Sequence, residues 1–287
     1  MKEVTKDILK DIYGKRPANT HKYDYGFVLV IGGSELYTGS PALSAFAAYR
    51  SGADLVHIIT PQRAADIIAS FSPDLICCPL KGSHLTKDHL SDLISMTESA
   101  KIVSHGKVSV VIGGGIGRTQ ETQETIREYL SNISIPAVID ADAIHAVADD
   151  LSVIARKPFL ITPHGYEFSL LTKRETKGLS DEEKIKAVKE EADRLKTNIL
   201  FKSNVDIITD GKEVALNKAG NPYLSVGGTG DALSGVAGSI IAQGFKPFLA
   251  AQAAAYINGK AGEIASKEKG EGLLATDLIE AIPKTLH

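Results

Sequence analysis

The feature that most limits what this chain can fold into is a repeated unit. A short apolar run stops at a glycine, carboxylate or histidine turn, and a longer segment with helical spacing follows. Phe27-Val28-Leu29-Val30-Ile31 is apolar at every position and ends at Gly32-Gly33. Such a run suits a strand buried on both faces, the condition of a parallel sheet. The unit recurs at residues 55–59, at Val108–Ile112 before Gly113-Gly114-Gly115, at Ala137–Ile139 before Asp140, and at Phe159–Ile161 before Thr162-Pro163-His164. Residues 39–51 carry small and apolar side chains at helical spacing, and Pro61 fits the first turn of a further helix. Strand–helix alternation of this kind argues for a parallel sheet covered by helices on both sides.

The pattern changes late in the chain. A charged helix over residues 181–196 precedes strands at 199–201 and 205–209. Asp210-Gly211 then reads as a hairpin turn with 213–216 as the returning strand. This predicts antiparallel strands at one edge of the sheet. Helices follow over 230–242, 248–267 and 276–283. The alanine-rich stretch at 249–255 allows close helix packing, inside one subunit or between subunits. No linker, repeat or low-complexity tract interrupts the 287 residues. We read them as one domain, with 1–25 as an N-terminal extension.

Composition serves mainly to exclude partners. The net charge of −3 favours neither nucleic acid nor an anionic membrane surface. No run of about 18 apolar residues occurs, and the N-terminus lacks the apolar block of a signal peptide. The two cysteines, Cys77 and Cys78, are adjacent. They offer no disulfide framework or zinc spacing, read best as small buried hydrophobes, and fit a reducing, cytoplasmic setting.

Ligands of open α/β sheets collect at the carboxyl ends of the strands. Here those ends carry Gly32-Gly33-Ser34, the Gly113–Gly117 cluster, Asp140-Ala141-Asp142, the segment from Thr162 to Glu167, and Lys202-Ser203-Asn204. Five such turns in succession are better explained by one shared cleft than by five independent turns. The strongest local signal is Gly227-Gly228-Thr229-Gly230-Asp231, which runs into a helix. Unpaired N–H groups and the positive end of the helix dipole bind phosphate at such a place. An acid there is repelled by the phosphates, so its natural use is as a base on a nearby hydroxyl. The plainer reading of Asp231 is a helix cap. The loop is neither a Walker A sequence nor a dinucleotide fingerprint.

The other candidates stay open at this level. Asp140 and Asp142 either hold Mg²⁺ through water or end a strand and cap a helix. His164 either contacts substrate or sits in a loop. Glu167 is a group near the metal or a first-turn helix charge. Lys202 meets phosphate or is an exposed strand end.

With these residues in view, the chain resembles the ADP/ATP-dependent NAD(P)H-hydrate dehydratases of the ribokinase-like superfamily. The resemblance runs from about Arg16 to the C-terminus. It rests on His21-Lys22, on Val30 to Ser34 with Tyr37-Thr38-Gly39, on Arg50 to Ala53, on Ile139 to Ala143, on Thr162-Pro163-His164 with Glu167, on Asn217, on Gly220-Asn221-Pro222 and on Gly228 to Asp231. It implies a three-layer αβα sandwich with a mostly parallel central sheet and antiparallel edge strands. It also implies a hydro-lyase that returns hydrated NADH or NADPH to NAD(P)H, with ADP, less readily ATP, as co-substrate and Mg²⁺ as cofactor.

Carried over residue by residue, the resemblance makes Asp231 the base, with Gly228 and Gly230 as the anion hole. It places Ala42, Gly117, His164 and Asp231 on the hydrated dinucleotide. Lys202, Ser203, Asn204, Val205, Asp206, Thr229 and Gly230 fall on the nucleotide. Asp140 and Glu167 are expected on the metal side. A homotetramer is implied. The sequence departs from the family pattern at Tyr23, Gly114, Gly165-Tyr166 and Ser203. The segment before Phe27 is too short for the epimerase domain of bifunctional members. Two other readings share the loop: a superfamily kinase acting on a vitamin or sugar hydroxyl, and a regulatory nucleotide-binding protein without turnover.

Overall fold

The computed structural model describes residues 1–286; His287, the last residue of the expected domain, lies outside the described residues. The first half alternates β1 (Lys2–Glu3), β2 (Phe27–Ile31), α1 (Gly39–Arg50), β3 (Leu55–Pro61), α2 (Gln62–Ala69), β4 (Ile76–Leu80), α3 (Leu90–Val103), β5 (Val108–Ile112) and α4 (Gln120–Asn132). It continues with β6 (Ala137–Ile139), α5 (Asp142–Ala148), β7 (Phe159–Ile161), α6 (Gly165–Thr172) and α7 (Asp181–Leu195). Then come β8 (Asn198–Phe201), β9 (Asp206–Thr209), β10 (Val214–Asn217), α8 (Thr229–Ala242), α9 (Pro247–Lys269) and α10 (Ala275–Ala281).

One ten-stranded sheet runs in the order β1-β10-β9-β8-β7-β6-β5-β2-β3-β4. From β4 through β8 every neighbouring pair is parallel, while β8–β9 and β9–β10 are antiparallel. The expected hairpin therefore forms, with the chain reversing at Asp210-Gly211 between Thr209 and its partner Val214. The first residues are more than an extension: β1 adds an edge strand parallel to β10.

Successive side chains on a strand point to opposite faces. Val28 and Val30 join the core that holds α1, α8, α9 and α10. Phe27, Leu29 and Ile31 join the core that holds α3, α4 and α5. Burial on both faces is why these strands carry apolar residues at every position. Chain order reverses between β2 and β5, so the loops leaving them diverge and open a crevice.

Several details differ from the sequence reading. Pro61 does not open α2; it closes β3, paired with Leu80, in an extended conformation with ψ of 149°. Proline's fixed φ suits both states, and the strand pairing decides between them. The cysteines are half-buried on the edge strand β4 and free, rather than buried in the core. An edge strand has a neighbour on one side only, which leaves its residues more open. Residues 249–255 pack inside the chain, with Ala250, Ala251, Ala253, Ala254 and Ala255 all buried in its core.

Candidate active site

The carboxyl ends of the central strands and the start of α8 meet at one place. Helix α8 presses on α1 so closely that a Cβ on Gly235 would stand 2.1 Å from the Ser44 carbonyl oxygen. The Ser44 hydroxyl donates to the Asp231 carbonyl oxygen at 3.0 Å, fixing the first turn of α8. Gly228 is the N-cap, at φ 95°, a left-handed conformation that glycine adopts without steric cost. It brings no capping side chain, so the first-turn N–H groups of α8 face outward, as an anion requires. Asp231 sits inside the helix as the third residue and is not its cap. The capping alternative for this residue is thereby set aside.

The loop after β5 explains Asp231's position. A Cβ on Gly114 would lie 2.5 Å from the Asp231 carboxylate and 3.1 Å from the Cβ of Ser40. Gly114 therefore makes room for the acid. Burial pushes the Asp231 carboxyl up to about 7, helped by the charge of Asp140 and opposed by Ser40 and Lys202. A carboxyl balanced near neutral pH is suited to take a proton from a hydroxyl.

A second cluster lies beside it. Asp140, buried at the end of β6, accepts from Lys202 Nζ at 2.9 Å, from the Thr162 hydroxyl at 2.8 Å and from the Ser234 hydroxyl at 2.8 Å. Burial opposes its charge, but Lys202 and the two hydroxyls hold the carboxyl below its usual range. Burial likewise opposes the Lys202 ammonium, and Asp140 and Glu167 outweigh it, raising its pKa. Lys202 is thus not an exposed strand end: its side chain is 21% exposed and paired with Asp140 while it lines the larger cavity. Glu167 lies 3.8 Å from the same ammonium and closes a capping box with His164 at the start of α6. Burial, with the charge of Asp140, raises the Glu167 carboxyl against the pull of Lys202.

Between the two acids of the Asp140-Ala141-Asp142 segment the backbone is strained: Ala141 takes φ 49° and ψ −124°. The kink sends the neighbours apart. Asp140 turns to Lys202, while Asp142 accepts from the Gly117 N–H at 3.0 Å and pairs with Arg118. Among the described residues no group of three or more His, Cys, Asp or Glu side chains is placed to hold a metal ion.

Two cavities flank the first turn of α8. The larger, about 490 Å³, is lined by Lys202, Ser203, Asn204, Asp206, Thr229 and Gly230, together with His164 and a wall from the 219–225 loop and α9. The smaller, about 350 Å³, holds Asp231 and Gly228 against the 36–40 loop and Leu43. The structure thus gathers most of the expected nucleotide residues on one side and the expected base on the other. Val205 lines neither cavity; Ala42 is buried in the core on α1, and Gly117 is half-exposed in the loop after β5. His164 lines the larger cavity.

Sequence reasoning assigned no role to Asn258 and Gly259 of α9 or to Leu36, Ser40 and Leu43. They come from elements far along the chain or from a helix face whose neighbour is unknown until the fold is formed. Asp206 was expected, but its state was not. Burial pushes its carboxyl up to about 6, against hydrogen bonds from Asn217 and the Ser203 N–H.

Sheet order, switch-point crevice and glycine-opened helix together define a ribokinase-like α/β protein. A family model described as NAD(P)H-hydrate dehydratase matches residues 28–284, and the chain belongs to that family. It is 38% identical over 284 residues to a bifunctional NAD(P)H-hydrate repair enzyme of Methanothermobacter thermautotrophicus, covering 98% of this chain and 53% of that one. The chain therefore spans about half the length of such bifunctional relatives. It is 34% identical to an ADP-dependent (S)-NAD(P)H-hydrate dehydratase of Nitrosopumilus maritimus, covering 98% and 95% of the two chains. Its structure is similar to that of an ADP/ATP-dependent NAD(P)H-hydrate dehydratase of Bacillus subtilis co-crystallised with ATP/Mg²⁺. That match has a TM-score of 0.81 and 25% identity and covers 99% and 97% of the chains.

Proposed function

We propose that the chain dehydrates hydrated NADH and NADPH at the expense of ADP, with ATP the poorer co-substrate. The observation that carries this reading is the pair of cavities on either side of the first turn of α8, with Asp231 in one and Gly230 and Lys202 in the other. A phosphoryl group passing between them crosses the outward N–H groups of that turn, which suit the charge of the transition state.

In this reading Asp231 takes the proton of the C6 hydroxyl of the hydrate. The hydroxyl oxygen forms a bond to the terminal phosphorus of ADP, the bond to the bridging oxygen breaks, and AMP leaves. Phosphate then departs from C6 and a proton from C5, restoring the ring double bond. The coupling has a simple cause: hydroxide is a poor leaving group, and phosphate is a better one. Gly228 and Gly230 form the anion hole. By family resemblance Lys202 to Asp206 and Thr229 hold the nucleotide and Ala42, Gly117 and His164 meet the hydrate, although His164 lines the larger cavity and Ala42 is buried on α1. The carboxylates of Asp140 and Glu167 suit a hard cation, although Lys202 already neutralises part of their charge. They would hold Mg²⁺ through water, and the ion would offset phosphate charge when bound.

Residues 1–287 act as one domain, in the cytoplasm, as a homotetramer. Family resemblance supports the tetramer, and light scattering tests it. Among the described residues no helix is long and apolar enough to cross a membrane.

The test is to incubate the protein with hydrated NADH, Mg²⁺ and either nucleotide while following the reduced-nicotinamide absorbance. The absorbance is expected to rise only with nucleotide, faster with ADP, and not at all with Asp231→Asn. A flat trace with both nucleotides and both hydrated cofactors rejects the reading.

A further inference from the structure

The larger cavity is lined by two chemically different sets of groups. Gly230, Thr229 and Lys202 are suited to phosphate. Leu224, Leu233 and Ala255 supply apolar surface against which a flat ring can lie. Two of the polar side chains in this lining, Asn221 and Asn258, come from the 219–225 loop and from α9. Asn221 is committed: its amide donates to the Ser266 hydroxyl at 2.7 Å, and its carbonyl oxygen accepts from the Tyr223 N–H. Asn258, on α9, is not committed. It lines the cavity, is 9% exposed, and its side-chain carbonyl oxygen is buried without a hydrogen-bond partner among the described residues.

An unsatisfied buried acceptor costs stability, so each one in a native protein asks for an explanation. A leucine in this apolar wall would avoid the cost. Rotation about the last side-chain bond of asparagine is soft, and it can aim the carbonyl into the cavity. The amide then offers an acceptor and a donor side by side. Adenine offers the complement along one edge, an exocyclic amine beside a ring nitrogen.

We propose that Asn258 reads the base of the nucleotide, its side-chain carbonyl accepting from the 6-amino group of adenine. This rests on the reading of the larger cavity as the nucleotide site, and it names the residue that sets base specificity there. A site built to bond a polar group rejects the analogue lacking it, because the buried partner is left unpaired.

The probe is purine riboside 5′-diphosphate, which lacks only the 6-amino group of ADP. Calorimetric titration of the wild type is expected to show ADP binding about tenfold more tightly, the worth of roughly one to two neutral hydrogen bonds. Asn258→Leu and Asn258→Ser should bind the two nucleotides alike, at the affinity of the wild type for the analogue. Thermal melting checks that the variants fold; should the leucine variant fail, the wild type and the serine variant decide. Equal binding of both nucleotides by the wild type, or an unchanged preference in the variants, overturns the proposal. The titration involves no hydrate and no turnover, so the two readings fail separately. A protein that prefers ADP but never regenerates NADH keeps the role of Asn258 and loses the dehydratase reading. One that regenerates NADH without preferring ADP over the analogue does the reverse.

Discussion

At Asp231 the demands of folding and of chemistry conflict. Its folded carboxyl keeps its proton up to about pH 7, whereas the ordinary value is 3.8. Between those two values stability declines as pH rises, because the unfolded chain ionises this group more readily. Asparagine never ionises. Asp231→Asn should therefore raise the melting temperature, with a gain larger at pH 8 than at pH 5, while abolishing turnover. The wild-type rate at saturating substrates should climb as pH rises through about 7, as the base loses its proton. Melting curves and pH–rate profiles on the two proteins check both outcomes. Lys202 is the opposite case, a residue whose loss harms the fold. Lys202→Met leaves Asp140 buried with only two hydroxyl donors. Removing one partner of a buried pair costs about 3 kcal/mol or more. Denaturant midpoints should fall accordingly, and Asp140→Asn added to Lys202→Met should recover part of the loss.

At the scale of elements, the site depends on how tightly α1 and α8 cross. Gly235 touches the backbone of α1 one turn beyond Asp231, so any side chain there must separate the helices. Gly235→Ala should cost about 1–3 kcal/mol by overpacking. It should also lower kcat more than it alters nucleotide affinity, because the shift reaches the catalytic carboxylate through the bond from Ser44 to the Asp231 carbonyl. Steady-state kinetics beside a calorimetric titration separates the two effects. Most of these elements were legible in the sequence. The strands β2, β5, β6 and β7 carry no polar residue except Ser109, because both faces are covered. The edge strand β4 was missed, since Ile76-Cys77-Cys78-Pro79-Leu80 is partly exposed and holds a proline that reads as a breaker.

For the molecule as a whole, ligand and fold are linked. A nucleotide that binds only the folded chain stabilises it, by about 2.7 kcal/mol at one hundred times its Kd. For a chain of this size that corresponds to a rise of roughly 4–5 °C in melting temperature. ADP should produce this rise in the wild type and in Asp231→Asn, whose nucleotide cavity is intact, but much less in Lys202→Met. An unchanged melting temperature with saturating ADP would falsify the placement of the nucleotide in the larger cavity.

The residues that carry recognisable chemistry are legible in the amino-acid sequence alone. Asp231 is marked by its glycines, and Asp140, His164, Glu167 and Lys202 by their places after successive strands. That much follows from local rules, because a strand end and a helix start leave their signature in a few neighbouring residues. What those groups do to one another depends on the fold. The pairing of Lys202 with Asp140 joins residues 62 apart in sequence, and the bond between Ser44 and Asp231 joins residues 187 apart. The carboxyl pushed to about pH 7 and the orphaned carbonyl of Asn258 are consequences of burial. Burial belongs to the packed molecule: whether water reaches a group depends on what the rest of the chain has folded against it.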